Sequence, residues 1–151
     1  MAKGGIVKAG KKFGLNLIER ALIAKTMRAE VVSAEIHALL GDDSDELVHK
    51  AGRILWIVLE AVVADGVDPE MLEVRIMRGA CNAIYEQKGE ARVTETRRAS
   101  ICSGLEAAER LFDVLPQRAL TDAAVAMEVR LRNQNAVGWH EFEQLLAKVA
   151  A

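Results

Sequence analysis

Residues 54–64 read ILWIVLEAVVA, and this run limits the fold more than any other stretch of the chain. Projected on a helix at about 100° per residue, Glu46, Lys50, Arg53 and Glu60 form a narrow polar stripe. Ile57 and Ala64 fall inside that stripe and Trp56 lies at its margin. The helix expected over about residues 44 to 64 is therefore apolar nearly all round in its second half. Such a helix is buried on every side. Two placements meet that demand: the centre of a bundle, which is the preferred reading, or a position whose outer face a second subunit covers. On the second reading Trp56 and Ile57 are candidate partner contacts. Glu60 interrupts the run, which falls short of the ~20 residues needed to span a bilayer, so no membrane segment is expected.

The preceding segment carries a different signal. Leu15, Ile18, Leu22, Ala29, Val32, Ile36 and Leu39 recur at alternating steps of three and four, with Lys25 the one interruption. That spacing predicts one long amphipathic helix from Phe13 to Leu40, stopped by Gly41. Asp43 and Glu46 make a capping box for the second helix. In the turn DGVDP, Asp68 is expected as an N-cap and Pro69 as the first residue of a third helix. This third helix runs to about Tyr85 with Leu72, Ile76, Ala80 and Ile84 inward, and with Arg75, Arg78, Asn82 and Glu86 as its polar edge. After Gly89, a fourth helix starts near Thr94 and buries Ile101, Leu105, Ala108, Phe112 and Leu115.

Pro116 ends that helix or begins the next, which presents Leu120, Ala124, Met127 and Leu131. Past a turn at residues 133–138, a short last helix aligns Trp139, Phe142, Leu146 and Val149. No segment alternates apolar and polar residues long enough to argue for a strand. The reading is an all-α, single-domain bundle of five or six helices with a long first helix, over residues 13–151. Residues 1–12, with three of the eleven glycines, are expected to form a flexible basic N-terminal arm.

Composition agrees with that architecture. Apolar residues supply 51% of the chain and aromatics only 4%, so Ala, Leu, Val and Ile must fill the core. At 151 residues the chain can bury roughly 68–70% of its unfolded surface and needs no metal or disulfide to fold. Cys81 and Cys102 form no C-x-x-C motif, and no secretory signal opens the sequence, so a cytoplasmic setting is expected. The net charge of −2 conceals an asymmetry. Residues 1–18 hold Lys3, Lys8, Lys11 and Lys12 with no acid, leaving 16 basic and 22 acidic residues in the remainder. A basic leader on an acidic body has an affinity for polyanions.

Motifs that carry chemistry are weak. GIVKAGKK reproduces the G-x-x-x-x-G-K skeleton of a phosphate-binding loop through Gly5, Gly10 and Lys11. That loop needs a strand before it and a hydroxyl after the lysine; only four residues precede Gly5, and Lys12 holds the hydroxyl position. NAVGWHEFEQLL resembles the second half of a calcium-binding EF-hand with Glu141 as final ligand. Its first and third ligand positions would be Arg130 and Arg132, which cannot bind calcium, and Asn135 stands at the glycine position. Glu141 and Glu143 read better as acids in the first turn of a helix.

His37, His49 and His140 share no metal-ligand spacing, and Ser100 and Ser103 lack a recognisable oxyanion loop. Glu106 has Arg110 four residues on as a surface partner, and Glu60 is expected to pair near Arg53 or with a partner. No catalytic, cofactor-binding or metal residue is assigned.

Arg75 with Arg78, Arg97 with Arg98, and Arg130 with Arg132 are the remaining clusters. The chain is similar, as a class, to small helical proteins that act by docking, such as subunits of larger complexes and regulators or inhibitors of bacterial or phage origin. The first expectation is a non-enzymatic protein–protein interaction module, a homodimer through apolar surface on the first or second helix, with Trp56, Ile57, Arg75, Arg78, Arg97 and Arg98 as candidate contacts. The alternative is a nucleic-acid-contacting subunit using Lys3, Lys8, Lys11 and Lys12 with Arg97 and Arg98, and giving weak contact. An enzyme comes third, because spacing assembles no nucleophile, base and orienting group.

Overall fold

The apolar run of residues 54–64 sits inside a helix that every other helix touches. The computed structural model describes residues 17–40 and 44–150. They form six helices: α1 (Leu17–Leu40), α2 (Ser44–Asp65), α3 (Leu72–Gln87), α4 (Glu95–Leu111), α5 (Gln117–Arg132) and α6 (Trp139–Ala150), with no strand among the described residues. The expected capping box at Asp43, the stop at Gly41 and the leader lie outside them.

Helix α2 packs against α1, α3, α4, α5 and α6 alike. Its side chains from Ile54 to Leu59 are all buried, and Ile57 keeps only 6% of its surface. The central placement is the one observed. Trp56 and Ile57, expected as candidate contacts for a partner, are core residues of the chain itself. The polar stripe of α2 is fastened to α1: Arg53 lies 3.5 Å from Glu30, and the Lys50 ammonium donates to Ser33 Oγ at 2.8 Å. Arg53 is thus engaged by Glu30, and the expected pairing with Glu60 gives way to it.

Gly66 ends α2 with φ +68°, a left-handed geometry that costs glycine little. Gly66 N–H donates to Val63 O and Val67 N–H to Val62 O, closing the helix end with two bonds. The third helix begins later than the sequence suggests. Asp68 Oδ1 accepts from Glu70 N–H at 2.9 Å and Asp68 O from Met71 N–H at 3.0 Å, so DPEM is a turn and α3 opens at Leu72. The buried side of α3 is correspondingly shifted to Val74, Met77, Ala80, Cys81 and Ile84, with Leu72 exposed in the first turn.

Helices α3 and α4 form an antiparallel hairpin. Arg97 approaches Glu86 at one end (3.8 Å), and Arg110 approaches Glu73 at the other (3.3 Å). Arg110 therefore pairs across the hairpin and not with Glu106. Between these ends Gly104 lies against Ala80 so closely that an added Cβ would collide with the Ala80 Cβ. Helix α4 starts beside Thr94 as expected, and Thr94 caps it, its Oγ1 accepting from Arg97 N–H at 3.3 Å. The interhelical turn is held by buried Gln87, whose Nε2 donates to Arg92 O at 2.8 Å. The apolar positions expected inward on α4 are all buried.

The segment resembling an EF-hand has a different use. Arg130 Nη2 donates to both oxygens of Glu141, at 2.9 and 2.8 Å, and Arg130 Nε donates to Asn135 O at 3.1 Å. Glu141 also reaches back to accept from Gly138 N–H, capping α6. These hydrogen bonds, with Arg130 first, hold the Glu141 carboxyl below the usual carboxylate range. A cation at the first ligand position thus forms an ion pair with the acid at the last.

Candidate functional site

The stripe that predicted α1 is not the face that α1 buries. Its core residues are Met27, Val31, Ala34 and Ala38, which lie about 180° around the helix from the stripe. Ile18, Leu22, Val32, Ile36 and Leu39 face outward, each exposing 50–72% of its surface, and Lys25 and Ala29 between them are exposed too. Single exposed apolar residues are ordinary, whereas a contiguous apolar row is unusual on a domain surface. Leu15, the first position of the row, lies outside the described residues.

The physical basis for two faces is visible in the residue sizes. Toward α2, α4 and α5, the small side chains Ala34 and Ala38 allow close approach and leave no need for a large apolar stripe. The larger Leu and Ile residues are thereby left on the opposite side. In heptad terms the outer row fills a (22, 29, 36) and d (18, 25, 32, 39), with Arg28 and Glu35 at flanking g positions.

Charged groups border this row. Arg28 donates to Asp113 at 2.8 Å and lies over the Phe112 ring at 5.4 Å, tying α1 to the end of α4. Glu35 stands near Glu106 and Glu109 of α4. Partial burial first, and then these two carboxylates, push its pKa up. Cys102 belongs to the same edge: burial, Glu35 and Glu106 raise its pKa, and Arg98 pulls it down. Any cation brought beside Glu35 relieves part of this repulsion.

The arginine clusters do not converge on one patch. Arg75 is exposed on the first half of α3, and Arg78 is half-buried. Arg97 and Arg98 sit at the turn end of the hairpin, where Arg97 is engaged by Glu86 and Gln87 and Arg98 Nε is buried with no hydrogen-bond partner among the described residues. Arg130 is occupied by Glu141, and Arg132 by Glu128 at 3.0 Å. Lys3, Lys8, Lys11 and Lys12 lie outside the described residues.

Among the described residues no three His, Cys, Asp or Glu side chains gather as a metal site, and no helix is long and apolar enough to cross a membrane. The outer row of α1 was legible as a pattern, and its spacing was the signal. Its outward direction was not, because a stripe at this spacing predicts a helix without saying which face the domain buries. The chain matches no protein family, no curated protein and no solved structure.

Proposed function

We propose that the protein is a non-enzymatic helical interaction module that self-associates through the outer face of α1. The observation that supports this reading is the exposed row Ile18, Leu22, Ala29, Val32, Ile36 and Leu39, repeating at steps of three and four opposite the helix's own core. That repeat fits side chains of one helix into holes on another of the same period. A helix packed on its own domain by one face gains nothing from a second.

The charges favour a second copy in antiparallel orientation. In a parallel, in-register pair Lys25 would sit against its own equivalent in the seam. An antiparallel pair centred between residues 30 and 31 places Leu22 against the partner's Leu39 and Ala29 against the partner's Val32. Lys25 then falls beside the partner's Ile36, with the partner's Glu35 next to it. The ammonium so delivered answers the carboxylate crowding around Glu35.

Sedimentation equilibrium on the full chain tests this. The expected result is a dimer at micromolar concentration, converted to a monomer by Val32→Lys with Ile36→Lys. Helix content should be unchanged, since exposed substitutions typically shift folding stability by only about 0.5 kcal/mol. Lys25→Glu should weaken the dimer, because it would bring a carboxylate beside the partner's already crowded Glu35. A full chain that stays monomeric at high micromolar concentration would overturn the proposal. A dimer indifferent to the double lysine substitution would remove α1 from its interface.

A further inference from the structure

A cleft of about 430 Å³ opens between α2, the end of α3, α5 and the start of α6, and among the described residues none of α1 lines it. Ligand pockets typically enclose roughly 300–1,000 Å³, mostly apolar with a few placed polar groups. Gly52 lies on the α2 side of this cleft. It leaves the helix backbone bare, and a Cβ added there meets nothing within 4 Å. Trp56, Ile84, Met127, Trp139 and Phe142 supply apolar wall.

That wall is built from a scarce resource. The chain has six aromatic residues, and four of them join here. Trp56 meets Phe142 edge-on at 5.3 Å, Phe142 stacks with Trp139 at 5.7 Å, and Trp139 stacks with Tyr85 at 4.3 Å. Arg130 lies over Trp56 at 5.9 Å while its bonds to Asn135 and Glu141 fix the turn that forms the far wall. The cleft is therefore preorganised.

Its mouth carries Arg53, Lys88 and His49 against one acid, Asp45. Asp45 lies 3.9 Å from His49, and Arg53 is shared with Glu30. Lys88 lies over the Tyr85 ring at 5.9 Å and has no ion pair among the described residues. The faces of Trp56 and Tyr85 already carry Arg130 and Lys88, so a cationic guest would meet like charge. An anionic head group meets an available ammonium.

We propose that this cleft binds a small amphipathic carboxylate, with its apolar body over Gly52 against Trp56 and Trp139 and its carboxylate at Lys88. This site is separate from the α1 face and does not depend on self-association.

Both of the chain's tryptophans line the cleft, so intrinsic emission reports its occupancy and is insensitive to a ligand lying on α1. The experiment titrates the full chain with decanoate, decan-1-ol and decylammonium while following that emission. Decanoate should give a saturable change and bind about tenfold more tightly than decylammonium, the range expected for one charge-assisted contact. Lys88→Gln should remove the preference for decanoate over decan-1-ol. Gly52→Leu should abolish the response by filling the floor, while the thermal midpoint holds or rises, because leucine is the better helix former and the space is open. No saturable change with decanoate, or an undiminished one in Gly52→Leu, would overturn the site. Decylammonium binding as tightly as decanoate would overturn the ligand class.

Discussion

Gly104 shows how much one absent atom decides. The α3–α4 hairpin closes at this residue, where an added Cβ would meet the Ala80 Cβ and behind it the α2 side chain of Leu55. The obstruction lies on a helix held from two sides, so relief requires the helices to move apart. Overpacking of this kind costs about 1–3 kcal/mol. Gly104→Ala is thus expected to lower stability in a urea titration by that amount, even though alanine is the better helix former. Gly79, one residue from Ala80 but exposed, has nothing within 4 Å of its missing Cβ. Gly79→Ala should raise stability by about 0.8–1 kcal/mol through helix propensity alone. Equal effects of the two substitutions would show that the hairpin is not as close at Gly104 as described.

At the scale of the element, α2 and α1 make opposite use of excess apolar surface. Helix α2 spends it inward on five neighbours; α1 divides it between Met27, Val31, Ala34 and Ala38 turned to the core and a row of mostly larger residues turned out. Ile57→Lys should therefore unfold the domain or cost several kcal/mol, because a charge without a partner would enter the core. Val63→Lys, on the same helix but exposed, should shift stability by no more than about 0.5 kcal/mol. Circular dichroism during denaturation separates the two, and a mild Ile57→Lys would contradict the central placement of α2. Periodicity made most elements legible: the start of α4 near Thr94 and the positions of Leu105, Leu120 and Phe142 were read correctly from spacing. The start of α3 was not, because Asp68 can cap either a helix or the tight turn it actually caps. The face of α1 was not either, since alanines at 34 and 38 give little hydrophobic signal although both are fully buried. The cleft left no trace in spacing, as its walls come from four separated segments and its floor from a glycine.

At the scale of the whole molecule, the described helices share one core, and little separate opening of its parts is expected. Five helices contact α2, and the apolar side chains they bury form one continuous core. Cys81 lies within it, fully buried on α3, and burial pushes its thiol pKa up to about 12. Cys102 is half-buried on α4, with a pKa raised by burial, Glu35 and Glu106. The thiolate is the nucleophile that attacks a thiol reagent, so both residues should react slowly in the native state, and Cys81 only when the core opens. With an aromatic disulfide reagent in native buffer at neutral pH, Cys102 is expected to be modified first. Cys81 should then become reactive along the same urea curve that follows loss of helix, with coincident midpoints, as a single cooperative unit requires. The alternative outcome is equally readable. If Cys81 reacted in dilute urea well before the helical signal fell, α3 would be leaving α2 in a local opening. The six helices would then not form one cooperative body, and the cleft beside α3 would open with that movement.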